Sequence, residues 1–209
     1  MTKTNFFKSD NYAALGANEE IFELVKNNSK VLDVGCACGR LAEKLKKEKN
    51  CFVAGLEADK EMAAQAASRC DEVVQADVSK ITSLPFAKNY FDYIIFADIL
   101  EHLVNPDEVL LNLKDYLSDR GFILLSMPNI ANWQVRLGLF FLGRFNYGDP
   151  LIDGGHLRFF TLSSAKKLLE VCGFRIVYLT NRNARIGWLG KIWKSLFAFQ
   201  FIIKAEKVS

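Results

Sequence analysis

The sequence predicts an α/β fold built on a parallel sheet, and three observations carry that prediction. Apolar, β-prone runs alternate with helical runs from residue 30 to about residue 127, the pattern of βαβ units whose right-handed crossovers join parallel strands. A glycine-bearing turn, Val31-Leu32-Asp33-Val34-Gly35-Cys36-Ala37-Cys38-Gly39-Arg40-Leu41, leads from the first strand directly into a helix. Acidic residues then follow the ends of three further strands, at Glu57, Asp77 and Asp98. Ligands in open α/β sheets sit beyond the carboxyl ends of the strands, so acids gathered there beside a glycine turn mark a site.

The elements follow in order. Leu15, Ile21, Phe22, Leu24 and Val25 recur at helical spacing, which places a leading helix over residues 12–27, covering the sheet or the mouth of the site. Residues 31–34 form the first strand, and small residues at Gly35, Ala37 and Gly39 let a ligand approach the backbone N–H groups at the start of the next helix. That helix, about 39–49, buries Leu41, Ala42 and Leu45 and turns Lys44, Lys46, Lys47 and Lys49 to solvent. A second strand over 51–57 ends in Glu57, 18 residues after Gly39, where a nucleoside-binding sheet places a carboxylate for ribose hydroxyls. An alanine-rich helix (60–68) and a short strand (72–76) ending at Asp77 come next. The fourth strand, residues 91–96, is apolar apart from Asp92 near its start, as a strand buried on both faces is expected to be. A helix over 106–116, with Asn105 as cap and Pro106 at its first position, leads through Asp119-Arg120-Gly121 to a fifth strand at 122–127. Residues 130–155 read as an irregular apolar insertion, part of a segment at about 130–160 that covers the site. Beyond it lie a helix over 163–172 closed by Gly173, a strand at 174–180, a helix with Trp188, Leu189, Ile192, Trp193, Leu196 and Phe197 on one face, and a last strand at about 199–206.

Composition narrows the class. At 209 residues, 50% hydrophobic and 24% charged, the chain is expected to be one globular domain over 1–209. Its five cysteines lack the paired C-x-x-C spacing of a zinc site, so the expectation is a reduced, cytoplasmic protein with no metal. Cys36 and Cys38 read as small turn residues. The net charge of +3 is unevenly spread, with seven Lys or Arg against one acid after residue 174. No basic patch interleaved with stacking aromatics argues for a nucleic-acid partner, and no apolar window reaches the roughly 18 residues of a membrane span.

Taken together, the motifs Leu32-Asp33-Val34-Gly35-Cys36-Ala37-Cys38-Gly39, Gly55-Leu56-Glu57, Ala76-Asp77-Val78, Phe91-Asp92-Tyr93-Ile94, Leu100-Glu101-His102 and Gly155-His156-Leu157-Arg158-Phe159-Phe160-Thr161 resemble the class I S-adenosylmethionine-dependent methyltransferases. The last stretch is similar to the ubiquinone-biosynthesis and methionine-biosynthesis-W types. The resemblance spans nearly the whole chain. It implies a Rossmann-like, seven-stranded, three-layer αβα sheet, six strands parallel and the last antiparallel. Ala37 departs from the glycine usual at that position. A nicotinamide-binding turn would need a third glycine where Arg40 stands, which leaves an oxidoreductase as the weaker alternative, beside a non-catalytic S-adenosylmethionine-binding protein.

The resemblance assigns cofactor-binding roles to Asp33, Gly35, Cys36, Ala37, Gly39, Glu57, Ala58, Asp77, Val78, Phe96 and Ala97. Asp33 would orient the turn and reach the methionine amino group through water. Gly35, Cys36 and Ala37 would line the methionine part and Glu57 would hold the ribose. Asp77 and Val78 would meet the adenine, and the backbone at Phe96 and Ala97 would pass close to the sulfonium. For a hydroxyl acceptor a base helps, and His156 and His102 are the only histidines. Each has the second reading of a packed or loop-pinning residue. Arg158 would bind a carboxylate or phosphate on the acceptor, or pin its loop. The implied partner is a small-molecule methyl acceptor (a quinone, lipid-like or glycan precursor, methylated on O or C). The protein would be a monomer or homodimer, and its apolar insertion would either cover the sheet or touch a membrane surface.

Overall fold

The computed structural model describes residues 18–145, 151–182 and 193–208. Its centre is a seven-stranded sheet of order β3-β2-β1-β4-β5-β7-β6. The strands are β1 (Lys30–Val34), β2 (Phe52–Glu57), β3 (Glu72–Gln75), β4 (Phe91–Ala97), β5 (Leu117–Pro128), β6 (Phe174–Arg182) and β7 (Gln200–Lys207). β1 to β5 pair in parallel, whereas β7 runs antiparallel to both β5 and β6. This is the predicted sheet, with its last strand reversed.

Helices α1 (Glu19–Leu24), α2 (Arg40–Lys49), α3 (Lys60–Ala66), α4 (Pro106–Lys114), α5 (Trp133–Leu142), α6 (Leu162–Val171) and α7 (Lys194–Phe197) accompany the strands. Two buried layers form because strand side chains alternate between faces. Val31, Val53, Tyr93 and Ile95 pack on one face with Ile21 and Phe22 of α1 and Leu41, Ala42 and Leu45 of α2. Leu32, Val34, Ile94 and Phe96 pack on the other with Val109, Leu110 and Leu113 of α4 and Ala165 and Leu169 of α6.

The chain runs from β1 outward through β2 to β3, then crosses to β4 on the far side of β1. The crevice where the order reverses therefore opens between the carboxyl ends of β1 and β4, where a ligand gains access to backbone from both strands. The register places Val34 beside Phe96 on one side and Leu56 on the other. Gly35, Asp98 and Glu57 follow at neighbouring strand tips.

Four expectations change. The leading helix spans Glu19–Leu24, capped by the Asn18 side chain that accepts the Ile21 N–H, and residues 12–17 lie outside the described residues. β5 begins at Leu117, because residues 118–121 bulge out between the pairs Phe91–Leu117 and Tyr93–Phe122. The insertion is helical in part: Asn132 caps α5 by accepting the Gln134 N–H. Leu137, Leu139, Phe140, Phe141 and Leu142 on α5 are exposed and Val135 is its buried residue, so these side chains do not cover the sheet. Of the final helix only Lys194–Phe197 is described, and Trp188, Leu189 and Ile192 lie outside.

Candidate active site

The glycine turn is built by three residues in the left-handed region, Gly35 (φ 70°), Ala37 (φ 46°) and Gly39 (φ 79°). Such a run of positive φ winds the chain tightly between β1 and α2, and glycine adopts it at no steric cost. Gly35 and Cys36 donate their N–H groups to the Leu56 carbonyl at 2.7 and 3.2 Å, and Gly39 donates to the Cys36 carbonyl at 2.8 Å. Gly39 also caps α2 without a side chain of its own, leaving the first N–H groups of that helix without a side-chain acceptor.

Glu57 ties the second strand to this turn. Its Oε2 accepts the Ala37 N–H at 2.9 Å and its Oε1 accepts the Asp59 N–H at 2.9 Å. Each carboxylate oxygen retains a lone pair for a further donor. Asp59 in turn caps α3 by accepting the Glu61 and Met62 N–H groups.

Asp33 is buried in β1. Burial, and secondarily the Glu57 charge, push its carboxyl up from 3.8 to about 7. The folded-state acid is thus weaker than that of the unfolded chain. Its contribution to stability is fully present below pH 3.8 and is lost as pH rises through about 7. The shift corresponds to roughly 4 kcal/mol. Asp33→Asn cannot ionise, so the stability difference between variant and wild type should move in the variant's favour by about 3–4 kcal/mol between pH 4 and pH 8. Urea unfolding at the two pH values checks this, and a difference that stays constant would remove Asp33 as a buried acid.

The Cys36 side chain turns away from the crevice into the α2 face of the core. A hydrogen bond with Cys70, then burial, push its thiol well above the ordinary range. It is an inert thiol, present at the turn through its backbone. Asp77 spends its carboxylate locally: Oδ1 accepts the Ser79 N–H and hydroxyl at 3.0 and 2.7 Å, and Oδ2 pairs with Lys80 at 3.0 Å. Val78 and Ala97 are half-buried, packed against opposite core layers, whereas the Phe96 ring belongs to the core.

The β4 tip carries one residue that sequence reasoning did not single out, Ile99, beside the strand-end acid Asp98 and the motif residue Glu101. A Cβ added at Gly35 would lie 2.0 Å from Ile99 Cδ1, so Ile99 roofs the glycine turn. Asp98 has φ 56°. Its Oδ1 accepts the Ser126 hydroxyl at 3.1 Å and the Gln200 amide, fixing the β4 tip to β5 and β7. Burial raises its pKa against those two bonds. Glu101, buried at 1% exposure, sits in a single 3₁₀ turn, Leu100–His102. Only an alignment of the tips in space would have signalled Ile99, because it belongs to no spacing motif, whereas Asp98 stands out along the chain as an acid after a strand.

The structure brings the two histidines together. Their ring centroids lie 4.9 Å apart in an edge arrangement. His102 Nδ1 lies 3.0 Å from the Gly155 carbonyl, and the loop holding His156 is pinned by Leu157 and Arg158 N–H groups on the Glu101 carbonyl at 2.8 and 2.9 Å. Burial, then the neighbouring His102, lower the His156 pKa, so the imidazole is neutral near pH 7. Arg158 donates through Nε and Nη2 to the Val104 carbonyl, at 2.9 and 2.5 Å, which is the loop-pinning arrangement.

A seven-stranded sheet of this order, with a glycine turn and acidic tips at its switch point, is the class I methyltransferase fold. The family "Methionine biosynthesis protein MetW" matches residues 17–203, and the chain belongs to it. Among solved structures, the fold is shared with an S-adenosylmethionine-dependent methyltransferase from Thermotoga maritima (TM-score 0.68, 16% identity, 91% of this chain and 89% of that one). A second, from Methanosarcina mazei, aligns with TM-score 0.66 and 19% identity over 93% and 99% of the two chains. The [4+2]-cyclase SpnF is also similar, with TM-score 0.65 and 16% identity over 91% and 80%. No curated protein sequence matches the chain. Among the described residues no helix is long and apolar enough to cross a membrane.

Proposed function

We propose that this protein binds S-adenosylmethionine at the β1–β4 crevice and transfers its methyl group to a small-molecule acceptor. The observation that carries the reading is the bond from Ala37 N–H to Glu57, which holds the glycine turn and the second strand tip as one cradle. The chemistry of the donor set fits the cofactor. The Glu57 carboxylate lies at the crevice with the buried carboxyl groups of Asp33 and Asp98 at the neighbouring strands, oxygen acceptors that suit a ligand carrying a sulfonium and an ammonium. Glu57 would take the ribose hydroxyls, the N–H groups of α2 would face the methionine carboxylate, and Val78 would flank the adenine.

The bound sulfonium supplies an already activated leaving group, so the chain's residues have mainly to orient the acceptor and exclude water. Ile99 is placed for exclusion, roofing the turn. His156, neutral and with His102 beside it, would accept a proton from an acceptor hydroxyl. The exposed apolar face of α5 is where a lipid-like acceptor, or a membrane surface, would meet the protein.

Thermal-shift titration with S-adenosylhomocysteine and with NAD tests the reading. Stabilisation by S-adenosylhomocysteine and none by NAD is expected, while stabilisation by NAD alone would overturn it. A screen with labelled S-adenosylmethionine against hydroxy, quinone and glycan acceptors then separates a methyltransferase from a cofactor-binding protein.

A further inference from the structure

We infer that Glu101, His102 and His156 form a binding site for a first-row divalent metal ion. One carboxylate oxygen of Glu101 and one nitrogen from each imidazole lie within 4.8 Å of one another. The two residues on the 3₁₀ turn lie 55 and 54 positions before the one on the loop ahead of α6, and the turn-to-loop hydrogen bonds to the Glu101 carbonyl bring them together.

Three features distinguish the cluster from a packed pair of histidines. First, both Glu101 carboxylate oxygens are buried and have no hydrogen-bond partner among the described residues. Such a group costs several kcal/mol unless a cation or proton satisfies it. Second, the Gly155 carbonyl only accepts, so the His102 nitrogen facing it, Nδ1, carries the proton. That leaves Nε2 as the lone-pair nitrogen. Third, His156 bonds through its ring to the Leu151 backbone. Imidazoles oriented by a backbone carbonyl are the usual second shell of a metal ligand.

The donor set selects the ion. Two imidazoles and one carboxylate suit zinc, iron(II), cobalt(II) or manganese(II) in preference to calcium or magnesium, which favour all-oxygen sites. Ligands on a tetrahedral zinc lie about 3.4 Å from one another, so the triad closes on an ion by shifts of roughly an ångström. Glu101 can make its share of that shift without breaking a side-chain hydrogen bond. Three protein ligands leave positions for an exchangeable ligand. On the methyltransferase reading, these take an oxygen of the acceptor, whose hydroxyl the ion would acidify; with the ion bound, His156 serves as its ligand and the ion replaces it as the group that promotes loss of the hydroxyl proton. Metal binding itself does not depend on that reading.

The test uses the full chain, stripped with a chelator and titrated with Co²⁺ and Zn²⁺ by calorimetry and visible absorption. One equivalent is expected to bind, giving Co²⁺ d–d bands without a thiolate charge-transfer band. Glu101→Gln and His156→Asn should each weaken binding by roughly 10- to 100-fold or more. Circular dichroism and S-adenosylhomocysteine affinity report whether each variant stays folded. Absence of Co²⁺ and Zn²⁺ binding in the wild type, affinity unchanged in both variants, or a thiolate band placing the ion on cysteines would each overturn the assignment. If the ion binds as expected but no S-adenosylhomocysteine does, the cofactor reading fails and the metal site stands.

Discussion

Gly35→Ala is expected to abolish measurable S-adenosylhomocysteine binding while leaving a folded but weaker protein. Two costs act at that position. The backbone sits at φ 70°, and an L-residue held in the left-handed region loses about 1–2 kcal/mol. The new Cβ would also stand 2.0 Å from Ile99 Cδ1 and 2.7 Å from its Cγ1. Those atoms are the far end of a flexible side chain, so the ring of contacts can yield by turning Ile99. Gly35 and Ile99 lie at the mouth of the crevice, so a displaced Ile99 is expected to disturb binding more than folding. Urea unfolding should show a loss of roughly 1–3 kcal/mol, and calorimetry a loss of more than about 100-fold in affinity, since each tenfold is about 1.4 kcal/mol. Adding Ile99→Ala should recover part of the stability, because it removes the contact and leaves the backbone strain. Affinity within a few-fold of wild type in Gly35→Ala would place the cofactor elsewhere.

The second large effect is expected from Glu57→Gln. The carboxylate accepts two backbone N–H groups, from Ala37 and Asp59. An amide can accept only one of them and turns an NH₂ against the other. Losing a hydrogen bond to a charged acceptor costs about 1.5–3 kcal/mol, so roughly a 10- to 100-fold weaker S-adenosylhomocysteine complex should appear by calorimetry with the fold retained. A second readout separates charge from shape. The Glu57 charge helps hold the Asp33 carboxyl near 7, and its removal should lower that pKa, visible in the Asp33 side-chain carbon resonance during a pH titration. An unchanged affinity together with an unchanged Asp33 titration would remove Glu57 from the site.

Much of this architecture was legible along the chain. The apolar strands, the glycine turn and the acids that follow β2, β3 and β4 are local patterns, and periodicity with turn chemistry reports local structure directly. The same holds for α2 and α6, whose predicted bounds fall within a residue or two of the observed ones. Errors arose where neighbours overrode the local signal. Residues 130–142 look featureless because α5 is apolar nearly all round, yet Asn132 starts a helix there. β5 absorbs Asp119-Arg120-Gly121 as a bulge because pairing with β4 resumes at Phe122.

The sequence by itself determined the parallel αβα sheet, the cradle from Gly35 to Gly39, and Glu57 at the next strand tip, since each is written in residues close together in the chain. Only the tertiary structure decided that Ile99 roofs Gly35, that Asp98 is anchored by Ser126 and Gln200, and that the Glu101 carboxylate meets two imidazoles. Those contacts join side chains from the turn after β4, from β5, from β7 and from the loop before α6. Their partners are set by strand order and crossover, which bring distant residues to one end of the sheet, and no local period encodes that convergence.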